Sequence, residues 1–179
     1  MTRYHPALVA LHWLIAVMIL MGLFFGKAVL VSMDNADPTK AEGLGGHMTI
    51  GIIVGVLLVV RLIVRIASEK PPHAATGNAR LDRIGAATHW VLYALVALMV
   101  LSGLGTAFAG DLFPIVFGGS GDPIPETLTD LAPRIAHGLV SNLLIVLLLL
   151  HVAAALYHQF VLRDGLFRRI WFGKRKVQD

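Results

Sequence analysis

Six histidines lie in or at the edge of long apolar segments: His12, His47, His89, His137, His151 and His158. Ionisable side chains are costly in lipid, so an imidazole inside such a segment marks a functional site by default. Neutral imidazole is also a common ligand of haem iron and zinc. His137 and His151 are fourteen residues apart on one apolar segment. On a helix that is about 21 Å along the axis and roughly 40° around it, one face at two depths. Paired axial ligation of two stacked haems needs such an arrangement. A zinc site would instead gather its ligands around one ion.

The segments that carry these residues are long and uncharged. Residues 6–26, 43–60, 84–110 and 135–162 contain no Lys, Arg, Asp or Glu. The chain is 56% hydrophobic, above the roughly 45–50% of an average soluble domain. Each run approaches or exceeds the length of about 18–20 residues that crosses a bilayer as a helix. Their continuous rather than alternating apolarity excludes a barrel. The expected fold is all-α: an integral membrane bundle of four transmembrane helices, near 7–29, 44–66, 84–108 and 134–162. Short connections favour antiparallel neighbours in a single domain covering 1–179. The first run is too long for a signal-peptide core and is expected to stay as a helix.

Charge sets the orientation. The formal net charge is +4 among 179 residues, which could suggest nucleic acid, but the cations are sorted by side. Arg3, Arg61, Arg65, Lys70, Arg80, Arg83, Arg163, Arg168, Arg169, Lys174, Arg175 and Lys176 fall at the termini and the second connection. Lys27, Lys40 and Arg134 fall on the other side, among Asp34, Asp37, Glu42, Asp111, Asp122, Glu126 and Asp130. The positive-inside rule puts both termini in the cytoplasm. The basic tail is then a topology signal and an anionic-lipid contact, with no nucleic-acid partner. The sequence has no cysteine, which excludes disulfides, cysteine-ligated iron–sulfur clusters and thioether-attached haem.

Gly and Pro punctuate the outer connections. Asp37-Pro38 with Gly43-Leu44-Gly45-Gly46, and the stretch 118–125, read as turns and irregular loop. Pro71-Pro72 closes the second helix, and Pro133 suits the first turn of the fourth. Ala10-Leu11-His12-Trp13 and Ala87-Thr88-His89-Trp90 form a weak internal echo.

Depth pairs the histidines. His47 and His137 both lie near the outer surface. His12 is best matched by His151, yet His158, about 10 Å beyond His151, and His89 are also on the inner side. Two inner ligands therefore come from four candidates, and the remaining two serve a quinone pocket, a propionate or a structural hydrogen bond. His5 and His73 read as surface residues. Arg61 and Arg65, one turn apart, are candidate contacts of haem propionates, with snorkelling to lipid phosphate as the alternative. Gly22, Gly51, Gly55, Gly103, Gly105 and Gly138 would let a macrocycle approach the backbone or let helices pack closely.

These residues together resemble the bacterial cytochrome b561 family of four-helix dihaem membrane cytochromes. That family is related to the cytochrome b subunits of hydrogenases and formate dehydrogenases. The carriers are His12-Trp13, His47, residues 60–65, His89 with Tyr93, and His137 followed by His151 through His158. The resemblance implies non-covalent haem b, with His12 and His151 on the inner haem and His47 and His137 on the outer one. It implies electron transfer between a periplasmic donor and ubiquinone, with superoxide as one donor, and His158 and His89 as candidate quinone-site residues. The acidic outer loop suits a basic protein or neutral donor better than superoxide, unless folding gathers Lys27, Lys40 and Arg134 at the outer haem. Two other readings are a membrane anchor subunit for a periplasmic dehydrogenase or reductase, and a haem-free histidine-lined metal or proton carrier.

Overall fold

The computed structural model describes residues 3–69, 71 and 76–174. Lys70, Pro72, His73, Arg175 and Lys176 lie outside them. Every regular element among the described residues is helical. The elements are α1 (Pro6–Phe24), α2 (Pro38–Ala67), α3 (Ala79–Ala109), α4 (Leu112–Val116), α5 (Ala132–Tyr157) and α6 (Leu166–Arg169). A π-helical turn at Phe25–Val29 and a 3₁₀ turn at Leu30–Ser32 prolong α1, and a π-helical turn at His158–Leu162 prolongs α5. Four helical stretches among these residues are long and apolar enough to cross a membrane: Pro6–Ser32, Thr39–Ala67, Ala79–Ala109 and Ala132–Leu162. The all-α membrane bundle expected from the uncharged runs is the fold observed.

Two helices start earlier than the apolar runs suggest, and capping is the reason. Asp37 accepts from the Thr39 N–H at 2.9 Å, and Pro38 begins α2, where its missing N–H costs nothing. The Gly43–Gly46 stretch, expected as loop, is therefore helical. Its glycines serve close packing: a Cβ on Gly43 would lie 3.2 Å from Leu30 Cδ2, and one on Gly45 3.1 Å from Val116 Cγ1. The Asn78 side chain caps α3 through the Arg80 N–H at 3.0 Å, so α3 starts five residues before Ile84. Pro133 stands in the first turn of α5 as expected, and residues 118–125 are irregular.

Neighbours in sequence are neighbours in space: α1 packs on α2, α2 on α3, and α3 on α5. The interior is thin. Val54, Val96 and Leu144 are its mid-depth centre, with Met18, Ile50 and Leu148 packed around them. Large apolar side chains instead crowd the outside, among them Ile66, Leu101 and Leu149. Burying such faces against hydrocarbon rather than water is what a bilayer provides.

The two ends of the bundle differ. At the end carrying the acidic connections, α4 and Ile124 fold inward, and Leu112 and Ile124 are each 2% exposed, against Leu44 and Met48 of α2. Asn35 donates to the Pro125 carbonyl at 3.3 Å, and Lys40 Nζ donates to the Met33 carbonyl and Asn35 Oδ1. These bonds join the two connections. At the basic end the chain reverses through left-handed Arg163 (φ 51°) and Gly165 (φ 72°). The following segment returns to the N-terminus, where the Tyr4 N–H meets the Arg169 carbonyl at 3.1 Å.

Candidate functional site

Two histidine pairs form, one toward each end, and both use α5. His47 of α2 faces His137 of α5 with ring centres 6.1 Å apart and planes at 79°. His12 of α1 faces His151 of α5 at 6.4 Å and 66°. A histidine–metal bond of about 2 Å, with the ring nitrogen roughly 1.2 Å from the ring centre, puts two imidazoles trans on one metal about 6.4 Å apart, centre to centre. Both pairs have that spacing. His89 of α3 also approaches His151, at 5.6 Å and 87°. That is shorter than the trans distance, and His89 directs Nδ1 at the Gly85 carbonyl, 2.8 Å away, within its own helix.

The acidic-end pair is the more fully supported. His137 Nδ1 lies 3.0 Å from the Met99 carbonyl and 3.1 Å from Ser102 Oγ. A carbonyl can only accept, so the proton sits on Nδ1 and Nε2 keeps its lone pair, the state a metal ligand needs. His47 Nδ1 is buried without a hydrogen-bond partner among the described residues, an unsatisfied atom in a site shaped for something else. Each ring meets a glycine. A Cβ on Gly26 would fall 3.1 Å from His47 Cε1, and one on Gly103 3.2 Å from His137 Cε1.

A cavity of about 300 Å³ adjoins this pair, lined by His47, His137, Lys27, Lys40, Arg134 and Ser141 among others. All three acidic-end cations thus border one cavity, whereas Asp34, Asp37, Glu42, Asp111, Asp122, Glu126 and Asp130 do not. Lys27 Nζ bonds to Asn142 Oδ1 on α5. The connections are acidic, while the three cations among them border the cavity.

The basic-end pair has different neighbours. Arg61 Nη1 donates to the Leu8 carbonyl at 2.5 Å, and its guanidinium lies 6.0 Å from the Tyr93 ring centre. Arg65 lies over Trp90 at 5.5 Å and Tyr93 at 5.8 Å, and its Nε is buried with no hydrogen-bond partner among the described residues. Arg61 thus reaches both α1 and α3, and Arg65 lies against α3. His158 joins neither pair. Its Nδ1 is 2.5 Å from Asp164 Oδ2, with the side chains 14% and 25% exposed. Burial alone would raise the Asp164 carboxyl, but hydrogen bonds from His158 and the Leu166 N–H, with the nearby charge of Arg169, hold it below the ordinary aspartate range. His5 caps α1 by accepting from the Ala7 N–H at 3.2 Å.

Of the glycines singled out by sequence, Gly103 meets a histidine, and Gly22, Gly51 and Gly138 line the cavity beside it. Gly55 and Gly105 instead make room for Val100 and Pro133 on neighbouring helices. Gly26, Ser102, the Met99 carbonyl and Asp164 had no sequence signal, because each matters only through the register between elements. No group of three or more His, Asp or Glu converges to hold a bare metal ion among the described residues. The donor set is two opposed imidazoles per site, with glycine clefts beside one pair and cations near both. These residues fit haem b.

Four spans with histidines opposed at two depths define a membrane-bound b-type cytochrome. The family model for prokaryotic cytochrome b561 matches residues 3–173, and the chain belongs to that family. Cytochrome b562 of Cereibacter sphaeroides is 30% identical over 168 residues, covering 90% of each chain. Cytochrome b561 homolog 2 of Escherichia coli is 30% identical over 174 residues, covering 94% of this chain and 90% of its own. A Yersinia pestis protein named probable superoxide oxidase CybB is 27% identical over 131 residues, covering 72% of this chain and 74% of its own. The chain is a bacterial membrane cytochrome b that carries electrons.

Proposed function

We propose that this single-domain cytochrome carries two haem b groups. His47 and His137 would hold one, His12 and His151 the other, and electrons would pass between them from an anionic donor at the acidic end to ubiquinone at the basic end. The supporting observation is the pair of 6.1 Å and 6.4 Å histidine contacts sharing α5. Haem held there by these histidines would supply reversible one-electron redox chemistry. Arg61 and Arg65 at the basic end would receive the propionates of the haem there.

The donor we favour is superoxide. Three cations around one cavity attract a small anion, and the joined connections above it leave little access for a protein. Each superoxide gives one electron and leaves as O₂. Two such electrons and two protons convert ubiquinone to ubiquinol. His158 and His89 lie at the basic end and are candidate quinone contacts. The positive-inside rule would place that end in the cytoplasm and the acidic end in the periplasm of the inner membrane.

A pyridine haemochrome assay on protein purified from haem-replete cells tests the first half. Near two haem b per chain is expected, and one or none refutes the paired-site reading. Superoxide generated beside the purified protein with ubiquinone present tests the second half. Ubiquinol should form with a one-to-two ratio to superoxide consumed. A fully haem-loaded protein that forms no ubiquinol refutes the donor–acceptor assignment alone.

A further inference from the structure

At the basic end, the segment after Gly165 is built from cations and aromatic rings, and the electron-transfer reading leaves it without a role. Arg3 directs Nη1 at the carbonyls of Arg168, Trp171 and Phe172, at 3.0, 3.2 and 3.0 Å. Trp13 donates its indole N–H to the Ile170 carbonyl at 2.9 Å. Trp171 lies edge-on to Trp13 at 5.6 Å and stacks on Phe167 at 5.7 Å. The segment is therefore pinned to α1 at a fixed height, just beyond the apolar span.

Its outward face is amphipathic in a particular way. Arg3, Phe167, Arg168, Trp171 and Phe172 line a shallow groove of about 370 Å³. Trp171 is 50% and Phe172 55% exposed, and Arg163, Arg168 and Lys174 are exposed around them. The acid in this stretch, Asp164, is already engaged by His158. Aromatic rings of this kind settle at the level of lipid headgroups. Exposed cations at that level draw anionic lipid, worth about 1 kcal/mol each in the surface potential of such a leaflet.

We propose that this groove is a binding site for an anionic phospholipid, its phosphate against Arg168 and its glycerol and upper acyl carbons against Trp171 and Phe172. The site goes beyond the electron-transfer reading and does not depend on it. Through the Trp13–Ile170 bond it also touches the helix turn that carries His12, whose ring lies 5.3 Å from Trp13.

The test uses the intact protein in vesicles of phosphatidylcholine and phosphatidylglycerol in equal parts, with brominated acyl chains on one lipid or the other. The Trp171 contribution is the fluorescence of the wild type less that of Trp171→Phe. Brominated phosphatidylglycerol should quench it about twofold more than brominated phosphatidylcholine. The excess should vanish in Arg168→Gln/Lys174→Gln and persist in Arg168→Lys, all with unchanged helical circular dichroism. Equal quenching by both lipids would show ordinary bilayer contact and overturn the site. An excess that survives the double variant would place the anion elsewhere and overturn the groove. Quenching by neither lipid would mean that protein, such as a second copy, covers Trp171, and would equally overturn it.

Discussion

The two histidine pairs share a helix and nearly the same spacing, yet their surroundings have little in common. At the acidic end the rings meet glycines on one side and a cationic cavity on the other, beneath connections held by Asn35, Lys40 and Pro125. At the basic end a third histidine crowds the pair, and two arginines fill the adjoining space between aromatic rings. Equal ligand geometry with unequal neighbours separates two jobs that one cofactor type can perform. On the proposed reading, the first site would admit something small and negative. The second is arranged to fix charge in place.

Removing ligands should break the comparison most severely. His137→Ala is expected to take the acidic-end haem and leave the other, halving the haemochrome yield in a folded protein, and His12→Ala should do the converse. Loss of both haems from either folded variant would deny that the sites are independent. Next comes Gly103→Val, whose branched side chain must displace the His137 ring, since even a Cβ would stand 3.2 Å from it. It should cost most of the acidic-end haem, while Gly46→Val, exposed and away from the cavity, should retain both.

Smaller changes sharpen the contrast. Arg134→Gln should slow oxidation of superoxide by about three- to tenfold at low ionic strength and flatten its salt dependence. Stopped-flow rates with a neutral reductant should stay unchanged. The smallest effect belongs to Asp164. A carboxyl held below its ordinary range contributes stability above the unfolded pKa and loses it as pH falls through the folded one. The stability gap between wild type and Asp164→Asn should be about 1 kcal/mol or less near neutrality. It should close as pH drops below the ordinary aspartate range, as read by thermal melts.

What could be read in advance followed from chain-local physics. Uncharged runs of sufficient length locate spans whatever their neighbours, and depth along each span paired His47 with His137. The inner ambiguity among His12, His89, His151 and His158 was real. Three of those rings do gather, and only distance separates the 6.4 Å contact from the 5.6 Å one. The Gly43–Gly46 stretch was misread as loop because glycine's local preference is weak beside a capped start and a packed face. The gathering of Lys27, Lys40 and Arg134 could only be posed as a condition. They are scattered in sequence among seven acids, and only the fold brings them, and none of those acids, to one cavity.

One consequence concerns the order in which the protein is made. Among the described residues, both histidine contacts of trans spacing take one member from α5, which leaves the ribosome after the other three spans. A nascent chain with three inserted spans holds His12, His47 and His89, yet has no opposed pair. On the proposed reading, cofactor insertion would therefore follow synthesis of α5, and a product truncated before residue 132 would be left with neither histidine pair.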